Sequence, residues 1–178
     1  MKNLLYVAAV LVFLNAGVFG QDAKPIAADA AIPLAKPHVD LFVREKFDPT
    51  RDPKIDLKAA IETASKSGKR IILDLGGEWC GWCVYMDKFI ATHPTLAKLR
   101  DDNFVWLKVN FSEENENTAF MSLYPAANGY PHLYVLTRTG KLLYSKDTSS
   151  LEKGEGYDLV KFTKFLKTWS PKRDSVLH

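Results

Sequence analysis

The chain of 178 residues contains two cysteines, Cys80 and Cys83, and their spacing could support redox chemistry. They follow a short apolar run and precede a segment of helical composition. Helix geometry then places Cys80 at the helix N-terminus, where unpaired amides and the helix dipole favour a thiolate. Cys83 falls one turn later, within disulfide reach. The pattern predicts a redox pair in which Cys80 is the nucleophile and Cys83 resolves the mixed disulfide.

Three other uses of the pair compete with this interpretation. A structural disulfide here would close a ring of about four residues, which stabilises by about 2 kcal/mol against about 4.7 kcal/mol for a 100-residue loop. Structural zinc takes four ligands, so a metal site built from Cys80, Cys83 and His132 is an alternative that lacks one. Covalent haem needs His directly after the second cysteine, and Val84 stands there, which excludes it.

Composition limits the class of protein and of partner. Hydrophobic residues make up 47% of the chain and charged residues 25%, which is typical of one globular domain rather than of a disordered chain. The formal net charge is +3, without a long basic block, so we expect no nucleic-acid partner. A small molecule or another protein is the expected partner.

The N-terminus has the form of a secretory signal over residues 1–20. Lys2 gives a positive start, Leu4 to Leu14 is uncharged and apolar, and small residues lead to Gly20. The apolar run is shorter than the roughly 20 residues that span a bilayer. We therefore expect a cleaved signal peptide and no membrane span afterwards, with a retained anchor as the alternative. The expected location is periplasmic or secreted, where disulfides persist.

Beyond the signal, residues 21–40 are predicted to be an Ala- and Pro-rich linker, 41–170 the folded domain and 171–178 a C-terminal tail. Capping signals and apolar periodicity predict alternating helices and strands followed by a β-hairpin and a last helix. The predicted elements are a weak strand at Leu41–Val43, a helix from Pro53 to Gly68 capped by Asp52, a strand at Arg70–Leu75, a helix at Val84–Thr92, a helical turn or two at Pro94–Arg100, a strand at Asn103–Phe111, a helix from Ser112 to about Tyr124, hairpin strands at Leu133–Thr137 and Lys141–Ser145, and a helix at Tyr157–Trp169. This order predicts an α/β domain with a mixed central sheet. The polar loop from Asp147 to Gly156 carries no clear signal.

The sequence resembles the thioredoxin superfamily from about Asp52 to Trp169. The residues that carry the resemblance are Asp74, Trp79-Cys80-Gly81-Trp82-Cys83, Lys108, Gly129-Tyr130-Pro131 and Gly140-Lys141. The stretch from Phe47-Asp48-Pro49 to the Trp-Cys pair is similar to the C-terminal periplasmic domain of the bacterial transmembrane disulfide reductase. The resemblance implies a thioredoxin-like fold, with a mixed sheet flanked by helices and a C-terminal hairpin and helix.

The resemblance also implies roles for single residues. Asp74 matches the buried acid that accepts the proton of the resolving cysteine, and Lys108 a lysine near that acid. Pro131 matches a cis-proline beside the disulfide, which leaves the backbone of Tyr130 free to pair with an extended substrate. Trp79 would form an apolar wall beside the sulfur atoms. The alternatives are a solvated Asp74 at a strand end, an edge-facing Lys108, a trans Pro131 and a Trp79 packed in the core.

Some residues depart from the family pattern. Trp82 stands where a proline is usual between the cysteines, and Gly76-Gly77 replaces a common aromatic-Ala pair. Trp82 could shield Cys80 or offer an apolar surface for docking.

The expected function is that of an exported thiol-disulfide oxidoreductase, a reductant or exchanger rather than a strong oxidant. It would need no cofactor, and its partners would be disulfide-containing client proteins and a thiol electron donor. The alternative is a non-catalytic thioredoxin-like binding module or a copper-handling protein that uses Cys80 and Cys83 as ligands.

Overall fold

The computed structural model describes residues 46–172. The predicted signal peptide, the linker, the weak strand at Leu41–Val43 and the end of the C-terminal tail lie outside these residues. The helices are α1 (Pro53–Ser67), α2 (Gly81–Ala91), α3 (Pro94–Asn103), α4 (Thr118–Met121) and α5 (Leu159–Trp169), with a 3-10 helix at Thr148–Leu151. The strands are β1 (Arg70–Gly76), β2 (Phe104–Asn110), β3 (His132–Leu136), β4 (Leu142–Asp147), β5 (Glu152–Lys153) and β6 (Gly156–Tyr157). Within 46–172, no helix is both long and apolar enough to cross a membrane.

Four strands form a mixed sheet in the order β2-β1-β3-β4. β1 runs parallel to β2 and antiparallel to β3, and β3 and β4 form the predicted antiparallel hairpin. Gly140 has a φ of 86° in the hairpin turn, a left-handed conformation that favours glycine. The predicted α/β class and mixed sheet are therefore confirmed.

Local signals account for the ends of the first and last helices. The Asp52 side chain caps α1, and Gly68 ends it with a φ of 71°. Asp158 caps α5 by accepting hydrogen bonds from two backbone N–H groups of the first turn, at 2.8 and 3.0 Å. Tyr157, predicted to begin this helix, pairs with Glu152 in the small β5-β6 hairpin instead. That hairpin and the 3-10 helix fill the polar loop for which the sequence carries no signal.

Apolar clusters cover both faces of the sheet because side chains alternate along each strand. One cluster joins Ile72 and Trp106 to residues of α2, α3 and α5. The other joins Leu73 and Leu107 to residues of α1. β1 and β3 are thus buried on both sides, and the C-terminal end of β1 leads directly to the cysteine pair.

The helix predicted from Ser112 to about Tyr124 is wrong, because only the short α4 is helical there. Ser112 and Asn115 exchange backbone hydrogen bonds of 3.2 and 3.1 Å, which closes a turn. The Asn110 side chain donates to Ser112 Oγ and to the Asn115 carbonyl, both at 3.0 Å. Asparagine side chains thus satisfy backbone groups that would pair within a helix.

Candidate active site

Cys80 and Cys83 are joined in a disulfide, with their Cα atoms 5.2 Å apart. Cys80 caps α2: its Sγ lies 3.1 Å from the backbone nitrogen of Cys83, and its carbonyl accepts the N–H of Val84 at 3.2 Å. Cys80 is 5% exposed and Cys83 is fully buried. The N–H aimed at Cys80 Sγ favours a thiolate there after reduction, and the greater exposure favours attack through Cys80.

Asp74 is a buried acid and not a solvated residue at a strand end. It is fully buried, and its Oδ2 accepts a hydrogen bond of 3.0 Å from the Trp106 indole N–H. Lys108 Nζ lies 3.6 Å from the same oxygen. Burial raises the pKa of Asp74, and the charge of Lys108 and the Trp106 hydrogen bond oppose that rise. A carboxyl of raised pKa binds a proton more readily than an ordinary aspartate does.

Lys108 links Asp74 to a second carboxyl, Asp87 on α2. Its Nζ donates to Asp87 Oδ2 at 2.6 Å and is buried, so the edge-facing alternative for Lys108 is wrong. Burial and the charge of Asp74 raise the pKa of Asp87 to about 6, against the opposing charge of Lys108. Sequence reasoning missed Asp87. The available signal was its position four residues after Cys83, on the same face of the helix.

Gly76 makes room for the buried sulfur atom. A Cβ at this position would lie 2.5 Å from Cys83 Sγ, closer than non-bonded atoms approach. Asp74 and Gly76 are two residues apart on β1, so Asp74 points to the face of the sheet on which Cys83 lies. The departure from the family pattern at Gly76 therefore has a steric reason, which sequence reasoning also missed.

The Tyr130–Pro131 peptide bond is cis, as the resemblance implies. The Pro131 carbonyl accepts a hydrogen bond of 2.6 Å from the buried Thr148 hydroxyl. Thr148 belongs to the polar loop, which therefore holds the segment after the cis bond in place. Nothing local in the sequence links Thr148 to Pro131, which precedes it by 17 residues.

Trp79 forms part of the surface beside the disulfide. It is 58% exposed, so the alternative of core packing is wrong. Its indole N–H donates to the Phe111 carbonyl at 2.6 Å, and its ring meets Tyr130 edge-on at 5.5 Å between centroids. Tyr130 in turn stacks on the Phe111 ring at 5.0 Å. Hydrogen bonding and ring packing thus fix an exposed aromatic wall next to Cys80.

A second aromatic group surrounds Trp82, which is 37% exposed. Its ring meets Tyr85 and Tyr157 edge-on, at 5.8 and 5.5 Å. Trp82 is therefore anchored on one side and open on the other, which suits an apolar docking surface.

The metal alternative built from Cys80, Cys83 and His132 is not formed. His132 Nε2 lies 2.8 Å from Ser145 Oγ, and the His132 ring packs on Tyr134. Among residues 46–172, no three His, Cys, Asp or Glu side chains are placed to hold a metal ion together.

A buried disulfide between a central strand and a helix, with a cis-proline and a mixed sheet, is the arrangement of a thioredoxin-like fold. Residues 52–137 match the family described as Thioredoxin-like, which confirms the resemblance to the thioredoxin superfamily. The structure of a disulphide isomerase from Xylella fastidiosa gives a TM-score of 0.60 at 21% identity, over 68% of this chain and 94% of that one. This likeness concerns the fold.

Two further proteins are similar to parts of this chain. The C-terminal domain of DsbD from Neisseria meningitidis gives a TM-score of 0.43 at 23% identity, over 65% of this chain and 92% of that one. An uncharacterized protein of Caenorhabditis elegans is 32% identical over 72 residues, which are 40% of this chain and 10% of that protein. This chain thus matches about a tenth of that relative's length.

Proposed function

We propose that the protein is a thiol-disulfide oxidoreductase that works through Cys80 and Cys83. The observation that carries the proposal is the disulfide at the N-terminus of α2, where the Cys83 amide faces Cys80 Sγ. The Cys83 amide would stabilise a thiolate on Cys80, and Cys80 is also the more exposed residue of the two. It is the expected nucleophile and leaving group in exchange.

The cycle begins with the reduced pair. The Cys80 thiolate attacks a client disulfide, forms a mixed disulfide and releases one client thiolate. Asp74 then takes the proton of the Cys83 thiol, and the Cys83 thiolate attacks Cys80 Sγ. This step forms the Cys80–Cys83 disulfide and releases the second client thiolate. The client gains two electrons and the pair loses two, which a thiol donor restores in the next cycle.

We further propose that the protein works outside the cytoplasm as a reductant or disulfide exchanger. The signal-like residues 1–20 support export. The direction of exchange follows from the family resemblance. The expected partners are client proteins that contain disulfides and a thiol electron donor.

The test combines activity with trapping. The reduced protein should speed the reduction of insulin by dithiothreitol, and Cys83→Ser should accumulate mixed disulfides through Cys80 that reducing agent releases. Cys80→Ser is the matched control and should trap nothing. Absence of both adducts and insulin reduction would overturn the proposal. Stoichiometric Cu(I) binding by the reduced protein, lost in Cys80→Ala and without reductase activity, would favour the copper-handling alternative instead.

A further inference from the structure

Phe47 covers the cysteine pair from a segment that precedes α1. It is 4% exposed and packs in one cluster with Cys80 and Cys83. Phe47 begins the stretch that resembles the C-terminal domain of the transmembrane disulfide reductase, and it precedes the Thioredoxin-like match at residues 52–137. We propose that Phe47 is a seal that closes Cys83 to solvent, so that Cys83 reacts only with the sulfur of Cys80.

The space above Gly76 shows how closely ring and sulfur meet. A Cβ built on Gly76 would lie 3.2 Å from Phe47 Cζ and 2.5 Å from Cys83 Sγ. The ring tip and the sulfur therefore occupy neighbouring sites over the same glycine. Because Cys83 has no exposed surface, removal of the ring opens a cavity beside its sulfur atom.

Two polar contacts hold the seal in place. The Phe47 N–H donates to Glu78 Oε1 at 2.8 Å, and Glu78 lies two residues before Cys80. Lys108 Nζ lies 4.0 Å from the centroid of the Phe47 ring, a cation–π distance. The same ammonium group contacts Asp74 and Asp87. The backbone of Phe47 is thus tied to Glu78, and its ring lies against the buried ammonium group of Lys108.

The seal has a consequence for exchange. A mixed disulfide on Cys80 can be attacked by Cys83 from within the protein or by a small thiol from solvent. Because Phe47 covers Cys83, small oxidants and alkylating agents in solvent do not reach its sulfur atom. The Cys83 thiol therefore remains available to attack the mixed disulfide on Cys80. This part of the inference rests on the proposed function, whereas the burial of Cys83 by Phe47 does not.

Alkylation of the reduced protein tests the seal directly. Iodoacetamide is added at fixed pH, and the rates at Cys80 and Cys83 are separated by mass spectrometry of peptides. Phe47→Ala should raise the rate at Cys83 by at least about tenfold relative to Cys80, and Phe47→Leu should restore most of the protection. Phe165→Ala is the matched control, because this phenylalanine is also buried, at 7% exposed, but packs in an apolar cluster that contains neither cysteine. It should leave the ratio of rates unchanged.

A second variant tests the inference if Phe47→Ala does not fold. Glu78→Ala keeps the ring but removes the acceptor of the Phe47 N–H, and it should raise Cys83 alkylation by a smaller factor. Unchanged Cys83 alkylation in the folded variants would overturn the seal. The insulin reduction assay distinguishes the two proposals. If the wild-type protein does not reduce insulin but its alkylation ratio depends on Phe47, the proposed function is contradicted and the seal is supported.

Discussion

Substitution of Gly76 by alanine tests how tightly the buried sulfur atom is packed. The new Cβ would lie 2.5 Å from Cys83 Sγ, 3.2 Å from Phe47 Cζ and 3.5 Å from Cys83 Cβ. Non-bonded heavy atoms prefer separations of roughly 3.5–4 Å, so the sulfur contact is too short by about 1 Å. The sulfur cannot move away freely, because it is bonded to Cys80 and buried under Phe47.

The clash should destabilise the oxidised protein by about 1–3 kcal/mol, the usual cost of overpacking a core. In the reduced protein the Cys83 side chain is no longer bonded to Cys80 and can rotate, so part of the strain is released. If reduction relieves about 1 kcal/mol, the reduction potential of the pair rises by about 20 mV. Urea denaturation of both redox forms and equilibration with glutathione measure the two effects.

Gly81→Ala is the matched control for Gly76→Ala. Gly81 lies between Cys80 and Cys83, and a Cβ at this position would meet no atom within 4 Å. It should leave the reduction potential unchanged and the free energy of unfolding equal or slightly higher, since alanine favours the helix. A Gly76→Ala protein with wild-type stability and potential would refute the steric argument.

Two further predictions concern the groups around the pair. The raised pKa of Asp87, about 6, means that the folded state binds this proton more tightly than the unfolded state. Its stabilising contribution is therefore present below about pH 4 and lost as the pH rises through 6, and Asp87→Asn should flatten this fall of about 1–3 kcal/mol. Urea denaturation midpoints of the wild-type and Asp87→Asn proteins between pH 4 and 8 measure this fall. The same dependence of stability on pH in both proteins would contradict the prediction. Thr148→Val leaves the buried Pro131 carbonyl without its hydroxyl donor and should cost about 1–3 kcal/mol in thermal or chemical unfolding, whereas the exposed Thr168→Val should change little.

The elements that the sequence predicts correctly carry local signals. Asp52 and Gly68 mark the ends of α1, and the glycine of the Arg138-Thr139-Gly140 turn marks the β3-β4 hairpin. The false helix after Ser112 shows the limit of such signals. Its acidic first turn suits a helix, but asparagine side chains from neighbouring positions close a turn there instead.

The residues of the candidate site likewise divide into those that the sequence predicts and those that it does not. Cys80, Cys83, Asp74 and Pro131 match a family pattern and could be located from the sequence. The residues that surround them are Phe47, Gly76, Asp87 and Thr148. Asp87 has a clue in its position on the helix face, and Gly76 lies only four residues before Cys80. Phe47 and Thr148 contact the site from segments whose proximity only the fold establishes. Their residue types are ordinary, and distance in the chain hides their contacts.

The small disulfide ring bears on how much stability the domain loses when the pair is reduced. The bond spans only the first turn of α2, and its chain-entropy contribution is about 2 kcal/mol, a fraction of the roughly 5–15 kcal/mol that holds a typical domain together. The hydrogen bond from the Val84 N–H to the Cys80 carbonyl does not depend on the sulfur–sulfur bond. Reduction therefore removes only part of the free energy that holds the domain together, so both redox forms can share one architecture.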